Sequence, residues 1–403
     1  MVAIAPVLRR HRFIPERIPV HAEELAYLWQ RRRASGRSPD IALRDFAYLQ
    51  ERIEAHLQGV SIAGDELGAM LDGFLHGDDR DEVFAAAWAL LRSGRPDNAR
   101  RVLEAFAAAG GPVIAGFADA LVMAPAAQTE ATLRAALVHG SPAHAAAAAL
   151  ALASHRRLDD PSAHLDRLLR HEEPSVAVFA WRALLVLENA PDVPLPCFAE
   201  ALHRPVAALR RAVLEAAVWR GEAWVPEVIG RLAADGDASA LGWCAALCPE
   251  DQQDAMLELF AAQPVPQRVA LAARLGRPKA LSAVLAWMAD PDPVLAAAAG
   301  RAWERMTGLS VEGQRSALPP AADADPIEQD FPVEVWLPDL PRARAQWAEH
   351  GARWSAGQRW CRGFDIQNAL TSEARRWVDL EAFWDFGARA AFAGTRVFPP
   401  SAV

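Results

Sequence analysis

The middle of the chain alternates apolar and polar positions in the pattern of short amphipathic helices. Leu165, Leu168 and Leu169 share one side of a first helix, and a turn follows at residues 171–174. The next segment places apolar side chains on a single helical face: Val176, Phe179, Ala180, Ala183, Leu184 and Leu187. Because neither helix can bury its apolar side alone, the pattern predicts a helix pair that packs on neighbouring pairs.

Turn signals recur along the chain at a nearly constant spacing. They are Pro or Asp residues separated by 27 to 33 positions: Asp79, Pro112, Pro142, Pro174, Pro205, Asp237, Pro264 and Pro293. A period of about 31 residues is typical of stacked two-helix units. The sequence therefore predicts an all-α protein, an α-solenoid of HEAT-like two-helix repeats.

The pattern changes at both ends of this array, which predicts four regions. Residues 1–66 form a helical N-terminal cap, and residues 67–308 form the repeat array. Residues 309–341 are a Pro-rich acidic linker, expected to be extended with one short strand at residues 333–336. Residues 342–403 are rich in Trp and Arg, and we expect a C-terminal helical region with two or three short helices.

Composition narrows the classes of function. The chain is 52% hydrophobic with a formal net charge of −9, which favours a folded protein and disfavours a non-specific nucleic-acid binder. It has no apolar run of about 18 residues, and residues 1–20 lack the pattern of a signal peptide. We therefore expect a cytoplasmic protein with neither a membrane nor a nucleic-acid partner.

No pattern of catalytic or metal-binding residues stands out. The chain has no phosphate-binding glycine loop, no nucleophile elbow and no His-Glu-x-x-His helix. Cys244 and Cys248 lack further ligands at suitable spacing, so no metal and no cofactor are expected. The alternative is a HEAT-like DNA glycosylase or another HEAT-fold enzyme. Its candidate cations alternate with acids, which is more typical of a solvated face: Arg204, Arg210, Arg211, Arg220 and Arg231.

The C-terminal region holds the best candidate site. Trp and Arg are the residues most enriched among interface hot spots, since they combine large contact area with directional donors. Two interpretations stay open, a partner-binding surface and the region's own core or its contact with the array. The candidate residues are Trp347, Arg353, Trp354, Arg359, Trp360, Arg375, Arg376 and Trp377. Three consecutive arginines, residues 31–33, end a predicted helix. They either interact favourably with the negative end of the helix dipole or contact a partner.

Three segments near the N-terminus resemble a known family. Residues 21–29 (HAEELAYLW), 46–64 (FAYLQERIEAHLQGVSIAG) and 82–87 (EVFAAA) are similar to motifs of uncharacterised bacterial HEAT-like repeat proteins. Genes for that family often lie in type VI secretion clusters. Gln50 and Gln58 depart from the pattern, since the family usually has Asp at both positions. The family has no assigned catalytic residues, so the resemblance implies none here.

The resemblance implies a context for function. It favours a non-enzymatic protein-binding scaffold that acts as an immunity protein or as an effector-loading adaptor. The expected partner is a secreted toxin or a component of the secretion spike, and the net negative charge suits a basic partner. The sequence makes no prediction of oligomeric state.

Overall fold

A computed structural model describes residues 13–187, 192–318 and 333–395. The secondary structure of the described chain is mainly helical, with two small two-stranded sheets, and the chain packs as two compact units. The first unit comprises residues 13–36 and 46–216, and the second comprises residues 37–45 and 217–395. The division between the two units falls inside the predicted array, between residues 216 and 217.

The first unit contains the N-terminal helices and the first repeats. Its helices are α1 (Arg17–Ser35), α2 (Leu43–Ser61), α3 (Leu67–Met70), α4 (Asp72–Leu75), α5 (Arg80–Arg92), α6 (Pro96–Ala108), α7 (Val113–Met123), α8 (Glu130–His139), α9 (Pro142–Ser154), α10 (Pro161–Leu169), α11 (Pro174–Val186), α12 (Leu195–His203) and α13 (Ala207–Trp219). The helix α2 begins, and α13 ends, in residues assigned to the second unit.

The second unit contains the later repeats and the C-terminal region. Its elements are α14 (Val225–Ala234), α15 (Ala238–Leu247), α16 (Gln253–Ala261), α17 (Val265–Leu275), α18 (Pro278–Trp287), α19 (Pro293–Thr307), β1 (Glu312–Ala317), β2 (Glu334–Pro338), α20 (Leu340–Ala356), β3 (Trp360–Cys361), β4 (Phe364–Asp365), α21 (Ala374–Trp377) and α22 (Leu380–Phe392). Short 3-10 turns occur at Gly64–Glu66, Ala126–Gln128 and Glu250–Gln252.

The predicted turn signals lie where the second helix of each pair begins. Asp79 and Asp237 are N-caps whose carboxylates accept backbone N–H groups of the first helical turn. Pro142, Pro174 and Pro293 occupy the first helical turn, where a missing N–H costs nothing. The all-α helical-repeat class predicted from the sequence is confirmed.

Second helices of successive pairs pack against one another within each unit. In the first unit α5 packs on α7, α7 on α9 and α9 on α11, while in the second α15 packs on α17 and α17 on α19. Every residue of α9 from Ala145 to Ala153 is buried, and all but two are alanine. Small side chains let α9 approach helices on both sides, since interaxial distance depends on the side chains at the contact.

The predicted linker contains more structure than the sequence indicated. β1 and β2 form an antiparallel pair in which Arg315 lies opposite Trp336. We predicted only the second strand, because β1 is almost wholly exposed and has no alternating apolar pattern. Residues 319–332 of the linker, and residues 1–12 of the predicted cap, lie outside the described part of the chain.

The C-terminal region has three helices, α20, α21 and α22, and a two-residue turn between β3 and β4. Arg362 and Gly363 in that turn have φ values of 50° and 82°, as a type I′ hairpin turn requires. The helix α22 lies against α15, and Trp219 packs edge-on against Trp384 at 5.1 Å. A side chain at Gly387 would collide with Trp219, so glycine permits this close approach.

Candidate partner-binding surface

The eight predicted residues divide between the interior and the surface. Trp354, Arg359 and Trp360 are buried, with exposed fractions of 2%, 1% and 4%. Trp347 is half-buried. The exposed members are Arg353, Arg375, Arg376 and Trp377. The predicted set is therefore not one continuous surface, and the three buried side chains belong to the core of the second unit.

Trp354 anchors α20 on the last repeat. Its ring meets Trp303 of α19 edge-on at 5.2 Å and lies 6.0 Å from Trp347. The indole N–H of Trp303 donates to Gln346 Oε1 at 2.8 Å. Aromatic pairs at these distances add to the area that they bury, so this cluster fixes α20 against α19.

Arg359 satisfies the carbonyl groups at the ends of two repeat helices. Its guanidinium donates to the backbone oxygens of Ala245 and Cys248 at the end of α15, and of Arg274 and Leu275 at the end of α17. The last carbonyls of a helix lack partners within the helix. Burial, reinforced by Arg389 and Arg277 nearby, holds the pKa of Arg359 well below its usual range.

Two buried ion-pair clusters hold α22 against the repeats. Arg274 of α17 forms a bidentate pair with Asp385, at 2.9 and 2.7 Å, and contacts Glu381 at 3.1 Å. Burial alone would lower the pKa of Arg274, but Asp385 and Glu381 raise it above its ordinary value. Charges desolvated to this extent require such partners.

The second cluster joins α19 to the start of α22. Arg305 contacts Asp379 at 2.9 Å and Glu381 at 2.8 Å. Asp379 is fully buried and also caps α22 by accepting the N–H of Ala382 at 2.8 Å. Burial would lower the pKa of Arg305, and the two carboxylates raise it instead. Together with Trp354 and Arg359, these two ion-pair clusters form what we term the dock.

Trp360 and Arg353 form contacts within the C-terminal region, and Trp360 also contacts the end of α17. The indole N–H of Trp360 donates to Trp354 O at 2.9 Å, and its backbone N–H donates to Gly276 O at 2.7 Å. Arg353 lies 5.2 Å from the Trp360 ring and donates to Gly363 O at 2.8 Å. Arg353 is exposed, yet its guanidinium already has partners inside the region.

The remaining three residues lie on α21 and form an exposed group. Arg375 and Arg376 are exposed, and Trp377 is 38% exposed. Ala374 and Val378 beside them are buried, so the short helix is anchored by its apolar side. Within the described part of the chain, neither Arg375 nor Arg376 has an acidic side chain within ion-pair distance.

Residues 37–45 add a fourth side chain to this group. Ala42 bridges Asp379, and backbone hydrogen bonds join Leu43 to Val378 and Leu380 to Ile41. This pairing places the Arg44 guanidinium 3.8 Å from the centre of the Trp377 ring. Arg44 could not be predicted from the sequence, because nothing local to residues 37–45 indicates pairing with a segment more than 300 positions later.

We term Arg44, Arg375, Arg376 and Trp377 the basic–aromatic face. An exposed tryptophan under a guanidinium offers a large contact area together with donors for carboxylates. Asp45 offsets part of the charge through a contact with Arg44 at 3.3 Å. The face can therefore accept acidic and apolar side chains of a protein partner.

The other sequence candidates occupy structural positions. Arg32 is buried between the rings of Trp29 and Phe46, and Arg33 forms a bidentate pair with Asp81. Among the cations proposed for a DNA-binding groove, Arg204 donates to backbone carbonyls and Arg220 pairs with Glu222 at 2.8 Å. These contacts leave those guanidinium groups less available to phosphates.

The described residues form neither a cluster of metal ligands nor a membrane-spanning helix. All four cysteines are free and buried, and no group of three or more His, Cys, Asp or Glu side chains in the described chain is placed to hold a metal ion. No described helix combines the length and apolarity needed to cross a bilayer.

Comparison with known proteins returns no relative. No family model, no curated protein and no solved structure matches this chain. The resemblance to the type VI secretion family thus remains a prediction from the three N-terminal segments.

Proposed function

We propose that the protein is a non-enzymatic protein-binding scaffold and that the basic–aromatic face is its partner-binding surface. The observation that carries this proposal is Trp377, exposed beneath Arg44 and flanked by two arginines that have no acidic partner among the described residues. Solvent-exposed Trp and Arg are the side chains most often responsible for binding energy. Buried ion pairs and hydrogen bonds of the dock restrain α22, which follows α21, and such pre-ordering lowers the entropy cost of binding.

The charge of the face defines the contact that it makes. The chain as a whole carries −9, which favours long-range attraction of a basic partner. The face itself carries three arginines and binds an acidic stretch of that partner. A partner that is basic overall and presents an acidic stretch at the contact meets both conditions.

The resemblance supplies the setting of this proposal. The scaffold acts in the cytoplasm beside a type VI secretion system, where it neutralises a toxin or loads one onto the spike. Deletion of its gene separates the two roles. Self-intoxication with secretion intact indicates immunity, whereas lost secretion with normal growth indicates an adaptor.

A pull-down from the native host, analysed by mass spectrometry, tests the face. The test variant combines Arg44→Ala, Arg375→Ala, Arg376→Ala and Trp377→Ala. The control variant combines Arg315→Ala and Trp336→Ala, because Arg315 lies 4.7 Å from the exposed Trp336 ring in the same unit. We expect the test variant to lose the specific partner and the control to retain it. Equal capture by wild type and test variant would refute the proposed surface.

A further inference from the structure

A cavity of about 320 Å³ opens in the second unit between α17, α19 and residues 37–45. Its floor is apolar and made of buried small side chains, Val269, Ala273, Ala298 and Ala302. This volume is within the range of small-ligand pockets in proteins. None of the residues of the basic–aromatic face lines the cavity.

Three arginines reach the cavity, and their surroundings differ. Arg305 is neutralised by Asp379 and Glu381 in the dock. Arg301 and Arg362 have no acidic side chain within ion-pair distance among the residues that the structure describes. Neither guanidinium is neutralised by an acidic side chain of the described chain, so both can meet a negative group inside the cavity.

The backbone holds Arg362 at the cavity wall. Its N–H donates to Arg305 O at 2.6 Å, and the next N–H donates from Gly363 to Met306 O at 2.9 Å. The left-handed conformation of Arg362 is unfavourable for a side chain of this size, so the turn is maintained by these contacts.

The Nε atom of Arg362 is buried and has no acceptor in the described structure. Among the described residues, the guanidinium forms one hydrogen bond, a long one of 3.4 Å to Pro39 O. A buried donor without an acceptor costs about 1–3 kcal/mol. An oxygen acceptor inside the cavity would remove that cost, and a carboxylate matches the planar fork of a guanidinium.

The rim also limits which anions fit. Asp40, Glu304 and Glu312 line it, and none of their carboxylates forms an ion pair with a basic side chain in the described part of the chain. These carboxylates repel polyanions such as nucleotides. They accept hydrogen bonds from N–H groups, so they favour a carboxylate that has an N–H group nearby.

We infer that this cavity binds the α-carboxylate of an apolar amino acid, with Arg362 and Arg301 on the carboxylate and the alanine floor under the side chain. The rim acids accept the adjacent N–H group. A free amino acid and the C-terminal residue of a protein share this chemistry. The inference does not depend on the basic–aromatic face.

Isothermal titration calorimetry on the full chain tests the site with leucine and two of its derivatives: L-leucine, N-acetyl-L-leucine and L-leucinamide. We expect saturable binding of at least one carboxylate probe below about 10 mM and at least about tenfold weaker binding of the amide, which lacks the carboxylate. Preference for N-acetyl-L-leucine identifies a protein C-terminus as the source, and preference for L-leucine identifies a free amino acid.

Matched variants assign the binding to the cavity. Arg362→Asn removes the guanidinium and keeps a residue that tolerates the left-handed turn, and Arg301→Gln alters only an exposed position. Arg344→Gln, exposed on α20, is the control. We expect the first two to weaken binding at least about tenfold and the control to leave it unchanged. No saturable binding of either carboxylate, equal binding of the amide, or unchanged affinity in Arg362→Asn would overturn the inference.

Discussion

The dock and the basic–aromatic face use the same two residue types in opposite ways. Arg359 in the dock is buried and donates to carbonyls at the ends of α15 and α17. Arg376 on the face is exposed and has no acidic partner in the described structure. Trp354 and Trp377 differ in the same way, one in an aromatic cluster and the other under Arg44.

This difference shows that residue type alone does not identify an interface. The ends of the repeat helices present carbonyl groups that need donors, and the side chains that reach them become structural. The side chains on α21 reach no such groups and stay available. Substitutions in the dock should therefore lower folding stability, whereas substitutions on the basic–aromatic face should leave it nearly unchanged.

Asp379→Ala should give the largest loss of stability. It removes a fully buried carboxylate, leaves Arg305 with one partner, and uncaps α22. Breaking a buried ion pair costs about 3–5 kcal/mol. We expect a decrease of that size in the free energy of unfolding, measured by urea denaturation. Asp339→Ala is the control, because Asp339 caps α20 at a half-buried position and should cost about 0.5–2 kcal/mol. Equal losses would contradict the dock.

Arg359→Met should destabilise the protein less than Asp379→Ala does, but still by a large amount. The change keeps much of the side-chain volume but leaves helix-end carbonyls without donors. We expect the free energy of unfolding to decrease by about 2–4 kcal/mol in total. Arg376→Met should stay within about 0.5 kcal/mol of wild type, because the side chain is exposed and unpaired. Thermal unfolding followed by circular dichroism measures both. Similar losses in the two variants would remove the distinction between dock and face.

Cys361 provides a chemical reporter of the dock. Burial and, to a smaller extent, the negative charge of Asp379 raise the pKa of the Cys361 thiol well above its ordinary value. The reactive thiolate is therefore scarce at pH 8, and we expect no reaction of folded wild-type protein with an aromatic disulfide reagent. Asp379→Ala should make Cys361 react, whereas Trp377→Ala should not. A thiol at residue 361 that reacts readily in the wild type would show that the dock is open.

Local features were predictable from the sequence, and long-range contacts were not. Asp79, Pro142 and Pro174 mark helix starts because caps and proline act within one turn. The contact of residues 37–45 with Val378 and Asp379 depends on the tertiary path of the chain between these distant segments. No local sequence pattern predicts that path. Arg44 was missed for this reason.

The candidate site was predictable in part. Arg375, Arg376 and Trp377 were among the predicted residues, and they lie together on α21 because they are consecutive in the chain. The spacing could not show that Arg359 would reach two helix ends, because those ends come from α15 and α17. The partner and the secretion setting remain predictions.

The affinity of the captured partner for single tryptophan variants shows whether Trp377 contributes to the partner-binding surface. Trp377→Ala should weaken binding by about 2 kcal/mol or more, a loss of roughly thirtyfold, in isothermal titration calorimetry. Trp336→Ala, the other exposed tryptophan under an arginine, should bind like the wild type. Unchanged affinity in Trp377→Ala, with the fold intact by circular dichroism, would contradict the account.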